Sequence, residues 1–473
     1  MANYPTIAKR LPERYSNPIA RDQWPLFANW LLVWVVVANA GFAVMWVIGA
    51  PPRLFEIVLT GLVGLIVRTR AIWLQLTTFV GVTVFSLFSF VSGLFNLNMA
   101  SLVYSLRFFT EIKPTESKEY IIAGLLVVAL MAVAARFVRR PQHFSDLRVI
   151  AVAVSVVLLM AQFDKWMGYG MRGHYKREAS ADAPFSSATS GVGFADGAKT
   201  GRHLMIVMVE SLGTPVSNPE MQRLLFRRYN TPEVERRFEL SRGTTTYYNS
   251  TTAGEVRELC GRWGDYYELL DRRDGRCLPA RLRERGYETS AYHSFIGSFF
   301  QRDKWYPNIG FERQLFATDL LERGVRECGG VFPGACDRDV PALLADHLRQ
   351  AEKPQFLYWL TVNSHLPVPP GLNLDVDNCE KVSPALASDF PMICRQFAIW
   401  DAVDSALVRE IVADDFPPTD ILIVGDHMPP YFDRYHRSQF APDRVPYLYL
   451  RWKDDKAAAS ATRVAGKDSA AKG

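Results

Sequence analysis

Several features are missing from this sequence, and each absence excludes a class of protein. No cysteine occurs in the first 259 residues, and no CxxC pair occurs anywhere, which argues against a zinc ribbon. The net charge is only +5 over 473 residues, and no basic run is interleaved with aromatic residues. A nucleic-acid-binding surface is therefore not expected. No internal repeat is evident either.

Charged residues are scarce between residues 24 and 167, where long apolar runs dominate. About five of these runs are long enough, or nearly so, to cross a bilayer core of ~30 Å. They are residues 28–48, 51–67, 71–95, 119–137 and 147–166. Because the apolar material continues far beyond one short core, a cleaved signal peptide is not expected. We predict a multi-pass α-helical membrane domain over residues 1–167.

Loop charges and cysteines both predict where the rest of the chain lies. With five helices, the basic residues between the apolar runs fall on one side, which is the cytoplasmic side. They are Lys9, Arg10, Arg14, Arg21, Arg68, Arg70, Arg136, Arg139 and Arg140. All six cysteines lie in the remaining part, as expected for disulfides in an oxidising compartment. Sequence neighbours suggest the pairs 260–277, 328–336 and 379–394, although six cysteines allow about fifteen pairings.

The second half of the chain has the composition of a soluble domain. Residues 168–202 are small and polar and predict a linker, whereas residues 454–473 predict a disordered tail. Between them, over residues 203–453, short apolar strands alternate with helical patterns, which predicts a central, mostly parallel sheet. In such sheets the functional residues gather at the carboxyl ends of the strands. These ends hold Glu210, His293, His365, Asp426 and His427.

Three of these side chains suggest a metal site. Glu210 ends a very apolar strand, where a carboxylate either binds metal or caps the next helix. Asp426 and His427 follow a second apolar strand and supply an oxygen and an imidazole nitrogen, which suits Zn or Mn. A threonine oxygen as fourth ligand would become a nucleophile. Thr251 and Thr252, at the start of a predicted helix, are the candidates, and a helix start also suits a phosphate.

The order of several motifs resembles a known family. They are "VESLG", "TTAGEVRELCG", "CLPARLRERGYETSAYHSF", "FQRDKWYPNIGF", "TVNSHLP" and "GDH", spread over residues 203–452. This pattern is similar to that of the lipoteichoic-acid-synthase-like phosphoglycerol and phosphoethanolamine transferases of the alkaline phosphatase and sulfatase superfamily. The membrane part matches the layout of that family as well. The resemblance implies an alkaline-phosphatase-like α/β domain after the membrane domain.

The resemblance also implies a role for individual residues. Glu210, Thr251, Asp426 and His427 would bind the divalent metal, and Thr251 would be the nucleophile, with Thr252 still possible. Four further residues would bind the substrate's phosphate group. They are His365, Arg302, His293 and His436.

The implied reaction moves a phosphoglycerol or phosphoethanolamine head group from a membrane phospholipid to a glycan or lipid acceptor, through a phosphothreonine. The enzyme would lie in the inner membrane, with its catalytic domain in the periplasm. "VESLG" resembles the phosphoglycerol branch and the many cysteines the phosphoethanolamine branch, so the donor stays open. Other interpretations are a phosphatase, an inactive scaffold of the same fold, or a sulfatase in which Cys277 of "CLPAR" becomes formylglycine.

Overall fold

A computed structural model describes most of the chain. The described residues are 19–43, 46, 52–94, 99, 102–103, 118–167, 184–248, 250–431 and 434–453. They fall into two compact units, with residues up to 102 and 118–167 in the first and residues from 184 on in the second. The predicted tail, 454–473, and the first part of the predicted linker, 168–183, lie outside the described residues.

The first unit consists of apolar helices. They are α1 (Gln23–Ala40), α2 (Leu54–Val67), α3 (Ile72–Leu94), α4 (Lys118–Val138) and α5 (Leu147–Met167). All but α2 are long and apolar enough to cross a membrane. Helix α2 has 14 residues and spans about 21 Å, which is less than the ~30 Å hydrocarbon core. Within the described residues, the predicted five spanning helices are thus corrected to four and one short apolar helix.

The outer surface of this unit is apolar. Ile66, Ile122 and Leu159 are each more than 60% exposed in the isolated chain. Such a surface would be costly in water, and contiguous exposed apolar area of this kind is typical of contact with lipid. The helices therefore indicate that the chain is anchored in a membrane.

The second unit is built around a seven-stranded sheet. Its strands are β1 (His203–Val209), β2 (Phe238–Thr246), β3 (Glu288–His293), β4 (Arg313–Leu315), β7 (Gln355–Leu360), β8 (Thr419–Gly425) and β9 (Arg444–Trp452), in the order β2-β9-β8-β1-β7-β3-β4. A separate hairpin pairs β5 (Glu327–Cys328) with β6 (Gly334–Ala335). Strand β9 runs antiparallel to its two neighbours, and every other pair in the large sheet is parallel. The prediction of a mostly parallel sheet is confirmed.

Helices cover both faces of this sheet. They are α6 (Ala188–Gly191), α7 (Pro219–Leu224), α8 (Pro232–Arg237), α9 (Thr251–Cys260), α10 (Leu278–Arg283), α11 (Arg302–Trp305), α12 (Ala317–Glu322), α13 (Val340–Arg349), α14 (Pro384–Asp389), α15 (Pro391–Ile411) and α16 (Arg434–Arg437). Alternate residues of β1 enter two separate apolar layers, with Met205 and Val207 in one and Leu204 and Ile206 in the other. This explains why β1 is a continuous apolar run, since both of its faces are buried.

The folded unit begins earlier in the chain than the sequence suggested. Residues 184–202, inside the predicted linker, pack onto the α/β unit. Ser187 caps helix α6, and the ring of Phe194 is fully buried in one of the apolar layers. A short stretch of small residues can thus be ordered when its backbone N–H groups find a buried partner, as described below for Glu258.

The carboxyl ends of four strands lie level with one another. Val209 of β1 pairs with Gly425 of β8, and Leu360 of β7 pairs with both Met208 and His293 of its neighbours. At Gly425 a β-carbon would lie 2.2 Å from the Leu212 carbonyl oxygen, so only glycine allows this close approach. The residues that follow these strands therefore meet at one edge of the sheet.

Candidate active site

Glu210, Asp426 and His427 converge at this edge. Their ligand atoms all lie within 4.8 Å of one another. His427 Nε2 is 3.5 Å from Glu210 Oε1 and 3.4 Å from Asp426 Oδ2. The three residues follow neighbouring parallel strands that are in register, which is why residues more than 200 positions apart meet here.

The turns after β1 and β8 hold these side chains in place. The backbone N–H groups of Ser211 and His427 both donate to Asp426 Oδ1, at 2.8 and 2.6 Å. The Ser211 hydroxyl donates to Glu210 Oε1 at 2.8 Å, and its backbone is left-handed with φ 55°. The Nδ1–H of His427 donates to the Met428 carbonyl at 2.8 Å, so its Nε2 lone pair faces the carboxylates.

The electrostatics of the cluster fit a divalent cation. Burial and then the charge of Glu210 raise the pKa of Asp426 to about 7. Burial alone would lower the pKa of His427, but the carboxylates of Asp426 and Glu210 raise it. Asp426 Oδ2 has no hydrogen-bond donor within the described part of the chain. Two buried carboxylates, one of them with an oxygen that accepts no hydrogen bond, and an imidazole nitrogen are a donor set suited to Zn or Mn.

The two candidate threonines point in different directions. Thr251 Oγ1 lies 3.3 Å from Glu210 Oε2 and 3.3 Å from His427 Nε2. The hydroxyl of Thr252 instead donates to Asp265 Oδ1 at 2.8 Å. One residue along a helix turns the side chain by about 100°, and only the Thr251 hydroxyl is turned toward the cluster.

His365 follows β7 and lies near the cluster. Its Nδ1–H donates to the Leu366 carbonyl at 2.9 Å, which leaves Nε2 free of that bond. Burial lowers the pKa of His365 to about 4, and the charge of His427 acts in the same direction. The ring of Phe332 packs edge-on against it, with ring centroids 4.6 Å apart. A neutral imidazole is thus held at the rim of the cluster.

Arg302 and His293 form a second buried group. Arg302 makes a two-pronged ion pair with Glu255, with its Nε at 3.1 Å and its Nη2 at 2.8 Å from Oε2. Its Nη1 lies 3.5 Å from Nε2 of His293, whose Nδ1–H donates to the Leu360 carbonyl at 3.1 Å. Both side chains are at most 2% exposed. The two predicted phosphate-binding residues therefore lie side by side, with Glu255 balancing the charge of Arg302.

His436 lies in a different environment. It is 1% exposed and its ring packs among those of Phe390, Tyr431 and Tyr435, with centroid distances of 5.4 to 5.9 Å. It does not belong to the group of metal-ligating side chains found among the described residues. Its predicted contact with substrate stays a prediction.

The sequence interpretation missed three ionisable residues of helix α9. Glu255, Arg257 and Glu258 are all at most 1% exposed. Glu255 accepts hydrogen bonds from Tyr306 and Tyr358 as well as from Arg302. The available signal was the spacing, because Glu255 lies one turn after Thr251 and therefore on the same face of the helix.

The cysteines pair as sequence neighbours. The disulfides are Cys260–Cys277, Cys328–Cys336 and Cys379–Cys394, which confirms the suggested pairing. Cys277 is fully buried and its sulfur is bonded to Cys260. It is therefore not available for conversion to formylglycine in this structure.

Comparison with known proteins gives a family and several solved structures. A family model described as sulfatase matches residues 202–468, more than half of the chain. No curated protein matches the chain.

The solved structures that are similar include the lipoteichoic acid synthase LtaP from Listeria monocytogenes, at 19% identity and a TM-score of 0.39, over 53% of this chain and 65% of that one. The phosphoglycerol transferase GacH from Streptococcus pyogenes has 14% identity and a TM-score of 0.35, over 57% and 77%. The periplasmic domain of EptC from Escherichia coli, in complex with Zn, has 14% identity and a TM-score of 0.33, over 54% and 73%. The match to LtaP spans less than two thirds of that protein's length.

Proposed function

The chain belongs to the sulfatase family, and from that premise we propose that it transfers a phospho-head group from a membrane phospholipid to an extracytoplasmic acceptor. The family places it among the enzymes of the alkaline phosphatase and sulfatase superfamily.

One observation carries the proposal. The hydroxyl oxygen of Thr251 lies 3.3 Å from both Glu210 Oε2 and His427 Nε2, at the start of helix α9. A threonine held this way is surrounded by groups that can activate it as a nucleophile. A binding protein without catalysis would have no need for this arrangement.

Glu210, Thr251, Asp426 and His427 would hold one divalent ion, Zn or Mn. When bound, such an ion lowers the pKa of a coordinated hydroxyl and polarises a phosphoryl oxygen. The turns after β1 and β8 fix Asp426 and His427 before any ion binds, because Asp426 Oδ1 and His427 Nδ1 are hydrogen-bonded to the backbone. Glu210 Oε1 accepts a hydrogen bond from the Ser211 hydroxyl.

In the first half of the reaction, Thr251 Oγ1 forms a bond to the head-group phosphorus. The bond between phosphorus and the oxygen of the diacylglycerol part breaks, and diacylglycerol leaves carrying the proton that the threonine hydroxyl gave up. Arg302 and His365 would contact the equatorial phosphoryl oxygens, with His293 beside Arg302 and His436 as a further substrate-binding histidine. Charge stabilisation of this kind supplies most of the rate in phosphoryl transfer.

In the second half, a hydroxyl of a glycan or lipid acceptor attacks the phosphothreonine. The acceptor oxygen bonds to phosphorus, the bond from phosphorus to Thr251 breaks, and the threonine recovers a proton. The head group is phosphoglycerol or phosphoethanolamine. The helices of the first unit would keep the enzyme in the inner membrane beside its lipid donor. The catalytic domain would lie in the periplasm, because its three disulfides suit an oxidising compartment. With a cytoplasmic N-terminus this placement requires the short helix α2 to cross the membrane as well.

A sulfatase with a formylglycine nucleophile is the main rival. That reading needs a reactive Cys277, and the disulfide to Cys260 counts against it. A phosphatase that uses Thr251 would share the first half-reaction and differ only in releasing the head group to water.

The test uses the full-length protein in detergent with fluorescent phosphatidylglycerol or phosphatidylethanolamine and with Zn or Mn. Diacylglycerol release is measured for the parent, for Thr251→Ala and for the matched control Thr252→Ala. We expect release from one lipid, its loss by at least about 10³-fold in Thr251→Ala, and its retention in Thr252→Ala.

Two outcomes would contradict the proposal. Equal release by the parent and Thr251→Ala would rule out this nucleophile. No release from either lipid, together with hydrolysis of an aryl sulfate, would favour the sulfatase. Adding a candidate acceptor and following the label then separates transfer from hydrolysis.

A further inference from the structure

Helix α9 carries three buried charges, and each of them contacts a different part of the fold. The side chains of Glu255, Arg257 and Glu258 are at most 1% exposed. Burying a charge is costly unless it is paired and fully hydrogen-bonded. Glu255 binds Arg302, as described above, and Glu258 accepts hydrogen bonds from the backbone N–H groups of residues 188 and 189. Arg257 is the member that reaches the proposed metal site.

The guanidinium of Arg257 bridges the helix and the turn that carries two of the proposed ligands. Its Nη2 donates to the Gly425 carbonyl at 2.8 Å, and its Nη1 donates to the Asp426 carbonyl at 3.2 Å. Its Nε donates to Glu258 at 2.6 Å, which balances the charge. Arginine suits this task because its donors are held in a rigid, planar fork.

The backbone of the helix is in close contact with the same turn. A β-carbon on Gly254 would lie 2.9 Å from the Asp426 carbonyl oxygen and 3.1 Å from the Asp426 Cα. Any residue larger than glycine at this position would force the Asp426 backbone to move. The helix that carries Thr251 is therefore placed against the Asp426–His427 turn at two points, Gly254 and Arg257.

We propose that Arg257 is a positioning residue that fixes the Asp426–His427 turn relative to Thr251. This inference rests on the proposed function, because it assumes that those residues share one metal ion. Arg257 touches neither the metal nor the substrate. It acts by holding two carbonyl groups of the ligand turn, so that the Asp426 carboxylate, the His427 imidazole and the Thr251 hydroxyl keep one spacing.

The test compares Arg257→Lys with a matched control, Arg202→Lys. Arg202 is also buried, pairs with Asp420 at 3.0 Å and donates to the Trp452 carbonyl at 3.1 Å. It lies next to the amino end of β1, far along the strand from the ligands. A lysine at either position keeps the charge, but its donors all lie on one nitrogen and do not reproduce the planar fork of the guanidinium.

The main measurement is the Zn²⁺ affinity of each variant, determined by competition with a chromophoric chelator. The thermal unfolding of each metal-free variant is measured in parallel. We expect Arg257→Lys to lose about 10- to 100-fold in Zn²⁺ affinity, as is usual when residues that orient metal ligands are changed. Arg202→Lys should keep the parent's affinity within about twofold, although both variants unfold at lower temperature.

The possible outcomes separate the positioning role of Arg257 from the proposed metal-dependent function. Parent-like Zn²⁺ affinity in Arg257→Lys, or an equal loss in Arg202→Lys, overturns the positioning role while the proposed function stands. A parent that binds no metal overturns the metal-dependent function itself. If Arg257→Lys does not fold, the double variant Arg257→Met/Glu258→Gln removes the bridge without leaving a lone buried charge, and the same loss of affinity is expected of it.

Discussion

The two ends of the central sheet differ in how their buried charged groups are paired. At the amino ends, the buried carboxylate of Asp420 is paired with the buried guanidinium of Arg202, at 3.0 Å. At the carboxyl ends, Glu210 and Asp426 lie together, and the ion pairs found for them among the described residues are with His427, not with lysine or arginine. The same strands supply both ends, so burial alone does not explain the difference.

This contrast indicates which end is built for chemistry. Buried acids of a purely structural site are neutralised by the fold, because an unpaired buried charge is costly. Two buried acids that share a single histidine as their partner are stabilised further when a divalent cation binds. We therefore expect a bound cation to stabilise the carboxyl ends, whereas Asp420 at the amino ends is already paired within the fold.

The largest expected effect comes from removing one acid of the Glu210–Asp426 pair. Asp426→Asn keeps the size of the side chain and should lower diacylglycerol release by about 10³-fold, because a metal ligand is lost. Zn²⁺ affinity, measured on the same preparation, should fall with it. Parent-like activity in this variant would mean that the acid pair is not the metal site and that the contrast has another cause.

The second prediction concerns pH and the metal-free protein. In the folded protein, burial and then Glu210 raise the pKa of Asp426 from 3.8 to about 7. An acid whose pKa is raised by folding contributes stability below its unfolded pKa and loses it as pH rises through the folded value. With a chelator present, the parent should lose up to about 4 kcal/mol relative to Asp426→Asn between pH 4 and pH 7.

Chemical denaturation of both proteins across this pH range gives that difference directly. Asp426→Asn is the appropriate reference, because buried groups remote from Asp426 titrate equally in the two proteins and cancel. Saturating Zn²⁺ should remove the pH trend by compensating the acid pair in the parent. A difference that stays constant between pH 4 and pH 7 would contradict the proposed repulsion.

The third prediction applies the same change to the amino end. Asp420→Asn removes the charge that balances Arg202 and leaves the guanidinium buried without its counter-ion, so the free energy of unfolding should fall by about 3 kcal/mol. Activity per folded molecule and Zn²⁺ affinity should not change. If this variant lost metal affinity while keeping its stability, the two ends of the sheet would not be functionally distinct.

The sequence contains enough to predict this edge of the sheet but not its interior supports. Glu210, Asp426 and His427 each follow an apolar strand, and parallel strands end at one edge, so their convergence could be predicted. The spacing from Thr251 predicts only the helix face on which Glu255 lies, and no pattern predicts that Glu255 or Arg257 is buried. A charged residue on a helix normally faces water, and their burial depends on partners contributed by distant strands.

Two other expectations failed or stayed open for local physical reasons. Pro51 and Pro52 precede α2, and the helix starts only at Leu54, which shortens the second apolar run to 14 residues. The choice between Thr251 and Thr252 depends on the direction in which each side chain leaves the helix, and that requires the positions of Glu210 and Asp265. The positions of Glu210 and Asp265 relative to the helix are not encoded in the local sequence pattern.

The smallest expected effect concerns Glu255, which lies one turn from Thr251. It tests whether this acid, like Asp420, is neutralised by partners within the fold. Its carboxylate accepts from Arg302, Tyr306 and Tyr358, with Tyr358 at 3.1 Å. Tyr358→Phe removes one of these donors and should lower the free energy of unfolding by about 1 kcal/mol. Because Arg302 keeps its two-pronged contact, diacylglycerol release should stay within about threefold of the parent. A tenfold loss of activity at unchanged stability would instead make the Glu255 cluster part of the reacting site, and the boundary between the two kinds of buried charge would then run through helix α9.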